Sequence, residues 1–268
     1  MQSGHWRDLT TRDLERLDAE STVGLLPVAA IEQHGPHLPL GTDALICAGI
    51  VREALARAPD GVALLALPEI AIGHSPEHTA FAGTLDIAAE TLLAAWIQVA
   101  VSAARAGLRK LVILNTHGGQ TALVDLAAVR LRVEHRLLVA RASYFAFGAP
   151  DGLFDDRELR YGLHGGDVET SLMLHLHPEL VRVERLENFA GLPERLAAED
   201  RLLGVEKPLG FGWMSQDLHP DGVCGDATRA NAGKGRQHLA HVAGRLVRLV
   251  TEMAATPLDV MRRGPLGS

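Results

Sequence analysis

A glutamate, two histidines and an aspartate fall within the stretch Glu32-Gln33-His34-Gly35-Pro36-His37-Leu38-Pro39-Leu40-Gly41-Thr42-Asp43. The stretch follows an apolar run, residues 23–31, that reads as a buried strand. A carboxylate just past the end of such a strand must be solvated, paired or bound to metal. Carboxylate and imidazole ligands this close together favour a metal. Glu32 and His34 are two apart, which in extended backbone points both side chains to one side. Asp43 returns at a helix start, where it either caps the helix or bridges two ions about 3.5 to 4 Å apart.

Further ligand types sit in similar settings. His117 follows the apolar run 111–114 and precedes Gly118-Gly119, which allow close backbone approach. A phosphate loop there is disfavoured, because neither GxxxxGK[ST] nor GxGxxG follows a strand; a core imidazole is the other reading. Glu169 lies in His164-Gly165-Gly166-Asp167-Val168-Glu169-Thr170-Ser171. With His164 in the loop and Glu169 in the first helical turn, both can face one cavity. The plainer reading of Asp167 and Glu169 is favourable charge at a helix N-terminus.

The elements that must position these residues alternate. Residues 5–17 read as a lead-in helix with Thr10 or Thr11 as N-cap. Strands are expected at 23–31, at 62–72 (ending near Ala66, before Pro68), at 111–114 and at 136–144. Helices are expected at 43–58, 88–107 and 121–134, with a loop at 73–84 carrying His74, Ser75, Glu77 and His78. A helix then runs from the 164–171 stretch to Leu176, residues 181–218 form an irregular excursion, and the last helix covers 230–254. Strands alternating with helices imply a parallel sheet between helix layers, with ligands beyond the carboxyl ends of the strands. Glu32, His34 and His117 all lie at such ends.

The 268 residues suit one large domain, taken as 1–260 with a flexible tail at 261–268. Residues 264–268 have the look of a cloning remnant. With 47% hydrophobic residues the core is sizeable, and the formal charge of −7 argues against nucleic acid as a partner. No apolar run is long enough for a membrane span, and the charged N-terminus has no secretory apolar region. Two isolated cysteines, Cys47 and Cys224, exclude a disulfide framework and make the cytoplasm the default location.

Five blocks together resemble the creatininase (creatinine amidohydrolase-like) family: EQHGPHLPLGTD at 32–43, GHSPEHTAFAGT at 73–84, NTHGGQ at 115–120, HGGDVETS at 164–171 and GVCGDATRANAGKG at 222–235. The resemblance implies a three-layer α/β/α sandwich with a mostly parallel central sheet. It also implies two divalent metal ions per chain (zinc, manganese or iron), hydrolysis of an amide C–N bond of a small-molecule substrate, and a homo-oligomer, with a hexamer favoured. It puts Glu32 and His117 on one metal and His34 on the other, with Asp43 bridging. Glu169 completes the second site and His164 is the acid/base residue beside it. Ser75 and His78, from an S-x-x-H block, line the substrate pocket, and His37 either supports a ligand or touches substrate. In creatininases proper a metal-binding Glu stands two positions after the histidine of the third block; here that position is Gly119, which argues against creatinine itself. Trp213 either closes over a planar substrate or is a partly buried anchor. The expected reaction is attack of a metal-activated water on the amide of a small cyclic metabolite, with His164 protonating the leaving nitrogen. The alternatives are a peptidase- or deformylase-like hydrolase of a linear amide and a hydrolase or lyase of a sugar-like ring.

Overall fold

In the computed structural model of the protein, which describes residues 2–199, 201–205 and 209–265, five strands make one sheet. They are β1 (Gly4–His5), β2 (Thr22–Val28), β3 (Ala63–Ala66), β4 (Lys110–Asn115) and β5 (Leu138–Ser143). All pair in parallel, in the order β1-β3-β2-β4-β5. The helices are α1 (Thr11–Leu14), α2 (Thr42–Ala56), α3 (Ala89–Arg105), α4 (Thr121–His135), α5 (Asp156–Tyr161), α6 (Asp167–Leu176), α7 (Leu192–Ala198), α8 (Ser215–Leu218) and α9 (Ala232–Ala255). A short antiparallel pair joins β6 (Asn188–Phe189) to β7 (Gly225–Asp226). None of the described helices is long and apolar enough to cross a membrane.

The alternation of side chains along a strand explains the layers. On β2 and β4, Val23, Leu25, Val112 and Leu114 face one way and pack on Ile46 and Ile50 of α2, Leu172 of α6 and Leu239 and Leu246 of α9. Leu26, Val28, Leu111 and Ile113 face the other way, onto Trp96 of α3 and Leu131 of α4. The result is the α/β/α sandwich with a parallel central sheet. Pro27 is tolerated inside a central strand because β3 has already left the ladder at Leu67, so no donor is missed; its carbonyl is taken by Ile70 N at 3.0 Å.

Two expectations need correction. The lead-in helix is a single turn, Thr11–Leu14, with Thr10 in a capping box with Asp13, because Gly4–His5 instead joins the sheet edge beside β3. The excursion 181–218 is not wholly irregular: it holds β6, α7 and α8. These pieces are too short to leave a period in the sequence and exist through tertiary pairing. Of the supposed terminal remnant, residues 266–268 lie outside the described residues.

The close crossing of α6 and α9 sets where Glu169 stands. A side chain at Gly235 of α9 would land on the Ser171 carbonyl oxygen of α6, with the His175 Cβ 3.0 Å away. Gly244, on the same helix, is exposed and meets nothing within 4 Å. Gly235→Ala should therefore destabilise the protein by about 1–3 kcal/mol through overpacking against backbone. Gly244→Ala should stabilise it by about 0.4–1 kcal/mol through helix propensity and unfolded-state entropy. Urea midpoints of the two variants measure both, and a Gly235→Ala protein as stable as the parent would contradict the close crossing.

Candidate metal centre

Glu32 and His34 leave the end of β2, Asp43 sits in the first turn of α2, and His117 follows β4. Asn115 hydrogen-bonds both the amide and the carbonyl of His117, at 3.1 and 2.7 Å, and so fixes that backbone. Glu169 enters from the first turn of α6. The structure brings all five side chains together. His117 Nδ1 lies 3.1 Å from Glu32 Oε2 and 3.5 Å from Asp43 Oδ2. His34 Nε2 lies 3.4 Å from Asp43 Oδ1 and 3.9 Å from Glu169 Oε2. The two oxygens of Asp43 thus face two different sets of ligands.

Buried polar atoms normally find partners. Among the described residues, the buried side-chain atoms without a hydrogen bond include Glu32 Oε2, His34 Nε2 and Asp43 Oδ2, all in this cluster. The ring contacts on the far sides fit the same picture. His34 Nδ1 is 3.2 Å from the Glu32 carbonyl, and His117 Nε2 is 3.0 Å from the His74 carbonyl. A ring proton held at each carbonyl leaves the other nitrogen to the carboxylates, as a metal-ligating imidazole requires. Two ligand groups, Glu32–Asp43–His117 and His34–Asp43–Glu169, and a third, Glu32–His34–His164, each have ligand atoms within 4.8 Å of one another. The donor set of imidazole and carboxylate suits zinc, manganese or iron.

Electrostatics explain how so many buried charges coexist. Burial would raise the Glu32 pKa, but the imidazoles of His117, His78 and His164 hold it well below the carboxylate range. Burial would lower His34, but Asp43, Glu169 and Glu32 hold it up at about 9. His117 is raised in the same way, by Glu32 and Asp43 against burial. Protons on these imidazoles balance the carboxylates in the role that cations would take.

His164 stacks at 4.2 Å on His34 and 4.4 Å on His78. Its Nε2 is anchored 2.7 Å from the Gln33 carbonyl and its Nδ1 stands 3.9 Å from Glu32 Oε1. Burial and the neighbouring His34 charge lower its pKa. Gly165, which follows it, has φ +69° in the left-handed region and leaves no room for a side chain beside Val223. The turn is closed by a two-way backbone bridge between His164 and Cys224, at 3.2 and 2.7 Å.

The remaining candidates take varied places. Ser75 is buried behind His117, with Oγ 3.3 Å from Nε2. His78 is buried against Glu32 Oε1 at 3.3 Å. His37 is fully buried, bonded through Nε2 to Gly165 O and Thr170 Oγ1 at 3.0 Å each, and stacked on Phe189; it braces the turn before α6. Trp213 is half-buried, packs in a separate cluster with Leu196 and Leu218, and donates to Val205 O at 3.0 Å.

Sequence reasoning gave no role to four residues. Tyr144 donates to Glu169 Oε1 at 3.4 Å. The Glu77 carboxylate stands 3.4 Å from His117 Nε2 and fills the space that a side chain at Gly119 would need. Glu158 is buried beneath the turn, accepts from Asp226 N at 2.9 Å, and occupies the side-chain space of Gly162 and Gly166. Gln33, between two candidate ligands, bonds His78 at 2.9 Å. Only Gln33 and Glu77 had a signal, their place inside the quoted blocks; Tyr144 and Glu158 had none.

The model of the family described as creatininase, creatinine amidohydrolase, matches residues 7–250. The chain is 34% identical over 258 residues to the mycofactocin precursor peptide peptidase of Mycobacterium tuberculosis, covering 93% of each. It is 30% identical over 196 residues to the creatinine amidohydrolase of Pseudomonas putida, covering 67% of this chain and 74% of that one. A solved creatininase described as a manganese form superposes with a TM-score of 0.74 at 25% identity, over 94% of this chain and 98% of its own.

The raised imidazoles carry a signed prediction for the chelated protein. The folded His34 pKa of about 9 exceeds the unfolded value of about 6.5. Its contribution to stability is therefore complete below about pH 6.5 and is lost as pH rises through about 9. Chelated protein should lose stability from pH 6.5 to pH 9, and added Zn²⁺ or Mn²⁺ should abolish the loss. Urea midpoints at both pH values, with and without the ion, test this; a flat profile for the chelated protein would show that His34 is not charged in the fold.

Proposed function

This chain belongs to the creatininase family of hydrolases, and on that premise we propose that it hydrolyses an amide bond of a linear, peptide-like substrate at a centre of two divalent ions. Glu32 Oε2, His117 Nδ1 and Asp43 Oδ2 would hold one ion. Asp43 Oδ1, His34 Nε2 and Glu169 would hold the other. The observation that carries this reading is the pair of Asp43 oxygens aimed at two separate ligand sets, with Asp43 Oδ2 and the neighbouring Glu32 Oε2 and His34 Nε2 all without a hydrogen bond. When bound, zinc, manganese or iron would supply an activated water and polarise the substrate carbonyl.

The protein's own groups do the rest. Tyr144 and the Gly165 amide, the latter at 2.6 Å, hold the Glu169 carboxylate in place. His164 keeps its Nε2 proton on the Gln33 carbonyl, so Nδ1 is the atom free to exchange a proton. It takes the proton released as water attacks the carbonyl carbon and delivers it to the leaving nitrogen, giving a carboxylic acid and an amine. A lowered pKa suits the accepting half of that cycle.

The linear substrate is favoured because the peptidase relative is matched over nearly the whole chain. Gly119 supports it too, since it offers no carboxylate where creatininases proper carry a metal-binding Glu, and Glu77 takes up the space instead. A small cyclic amide is the second reading, supported by the creatinine amidohydrolase relative. From the family resemblance we also infer a homo-oligomer, with a hexamer favoured, working in the cytoplasm. Turnover of short peptides and of creatinine by the protein loaded with Zn²⁺, Mn²⁺ or Fe²⁺ tests the substrate class: peptide cleavage is expected, and creatinine hydrolysis with no peptide cleavage would reverse the choice.

Two variants test the assignment. Asp43→Ala should lose both ions, whereas Glu32→Ala should retain the one on the Glu169 side; metal analysis of dialysed protein separates them, and equal loss in both would refute the bridge. His164→Ala should keep its ions and lose about 10²- to 10⁴-fold in kcat. Part of that loss should return on an ester-like substrate whose leaving group needs no proton. Unchanged turnover at full occupancy would remove His164 from the mechanism.

A further inference from the structure

Gln33 stands between Glu32 and His34 and is 5% exposed. Its amide is fully committed. The Gly35 N–H donates to Oε1 at 2.9 Å, which identifies the oxygen and hence the nitrogen. Nε2 donates to the Gly222 carbonyl at 2.6 Å and approaches His78 Nδ1 at 2.9 Å. The fit at Gly222 is tight: a side chain there would lie 2.7 Å from Gln33 Nε2 and 2.8 Å from Phe81 Cζ.

An amide nitrogen has two protons to give and no lone pair to offer. One proton goes to Gly222, so the other meets His78 Nδ1, which must then be the acceptor. A neutral imidazole that accepts at Nδ1 carries its proton at Nε2. His78 Nε2 is 3.3 Å from Glu32 Oε1. The proton fixed there by Gln33 therefore points at one oxygen of Glu32 and leaves the other, the orphaned Oε2, beside His117 and Asp43.

We propose that Gln33 is a positioning residue: its side-chain amide selects the Nε2–H tautomer of His78, and His78 thereby holds Glu32 so that only Oε2 faces the metal. The proposal rests on the metal-centre reading above and deepens it. Two consequences follow. His78 cannot itself be a ligand while Gln33 is in place, because its Nε2 lone pair is taken by a proton. Without Gln33 the ring is free to carry its proton at Nδ1, and the Nε2 lone pair then faces a carboxylate oxygen, so Glu32 must turn away.

The test uses the full chain, chelated and then titrated with Zn²⁺. Long-range ¹⁵N–¹H spectra of the chelated protein, with the His78 signals identified by their absence in His78→Phe, should show the Nε2–H form. In Gln33→Met the Nδ1–H form should appear. Gln33→Met and His78→Phe should each weaken one of the two Zn²⁺-binding steps by about 10- to 100-fold, the usual scale for losing a group that orients a ligand. Because both act through one proton, the double variant should be no weaker than the worse single one. An Nδ1–H form of His78 in the wild-type protein overturns the proposal, and needs no variant to fold. So do additive losses, or a folded Gln33→Met with wild-type affinity. Wild-type protein that takes up no ion at all overturns the metal-centre reading and the proposal with it; normal uptake combined with any of the other three results overturns the proposal alone.

Discussion

Two carboxylates, Glu32 and Asp43, are buried side by side at the end of a sheet that offers them no solvent. Carboxylates so placed are tenable only when positive charge is supplied within contact distance. His34 and His117 supply it, one on each side, and both are held protonated well above the ordinary imidazole range. The architecture around the site can be understood as the means of keeping these four groups together. The parallel sheet delivers Glu32, His34 and His117 from adjacent strands β2 and β4, and α2 delivers Asp43 back to the same end.

The second half of the chain completes the cluster by packing. α6 packs against both α2 and α9, and its first turn carries Glu169. Three independent ties hold that turn. His37 bonds Gly165 and Thr170. Glu158 fills the space left by glycines. Lys234 of α9 pairs with the fully buried Asp167. None of these bonds the facing carboxylate and imidazole atoms of the cluster. Each narrows the positions open to Glu169 and His164, which reaction geometry demands to within a fraction of an ångström.

The Gly119–Glu77 contact shows how one position can redistribute a function. With no side chain at 119, a carboxylate from the 73–84 loop moves in behind His117. The distal nitrogen of His117 then has a carbonyl, a hydroxyl and a carboxylate around it. Such partners orient a ligating imidazole and raise its basicity. The fifth carboxylate or imidazole of the cluster, Glu169, comes instead from α6, on the other side of Asp43.

The sequence alone determined the sheet-and-helix order and the five ligand-type residues. Buried parallel strands are continuous apolar runs, and residues directly after them are forced to one edge, so Glu32, His34 and His117 could be grouped without coordinates. It also carried the family, through blocks whose order is linear. What it could not carry was contact between blocks far apart in the chain. Tyr144 meets Glu169, Glu158 meets Asp226 and Gln33 meets His78 across 25, 68 and 45 residues, and no local pattern marks such pairs. The short elements β6, α7 and α8 were invisible for the same reason: too brief to show a period, they exist because the fold presents partners to them. Ring tautomers belong there too. A histidine's proton goes where its neighbours in space accept it, and only the tertiary structure decides which neighbours those are.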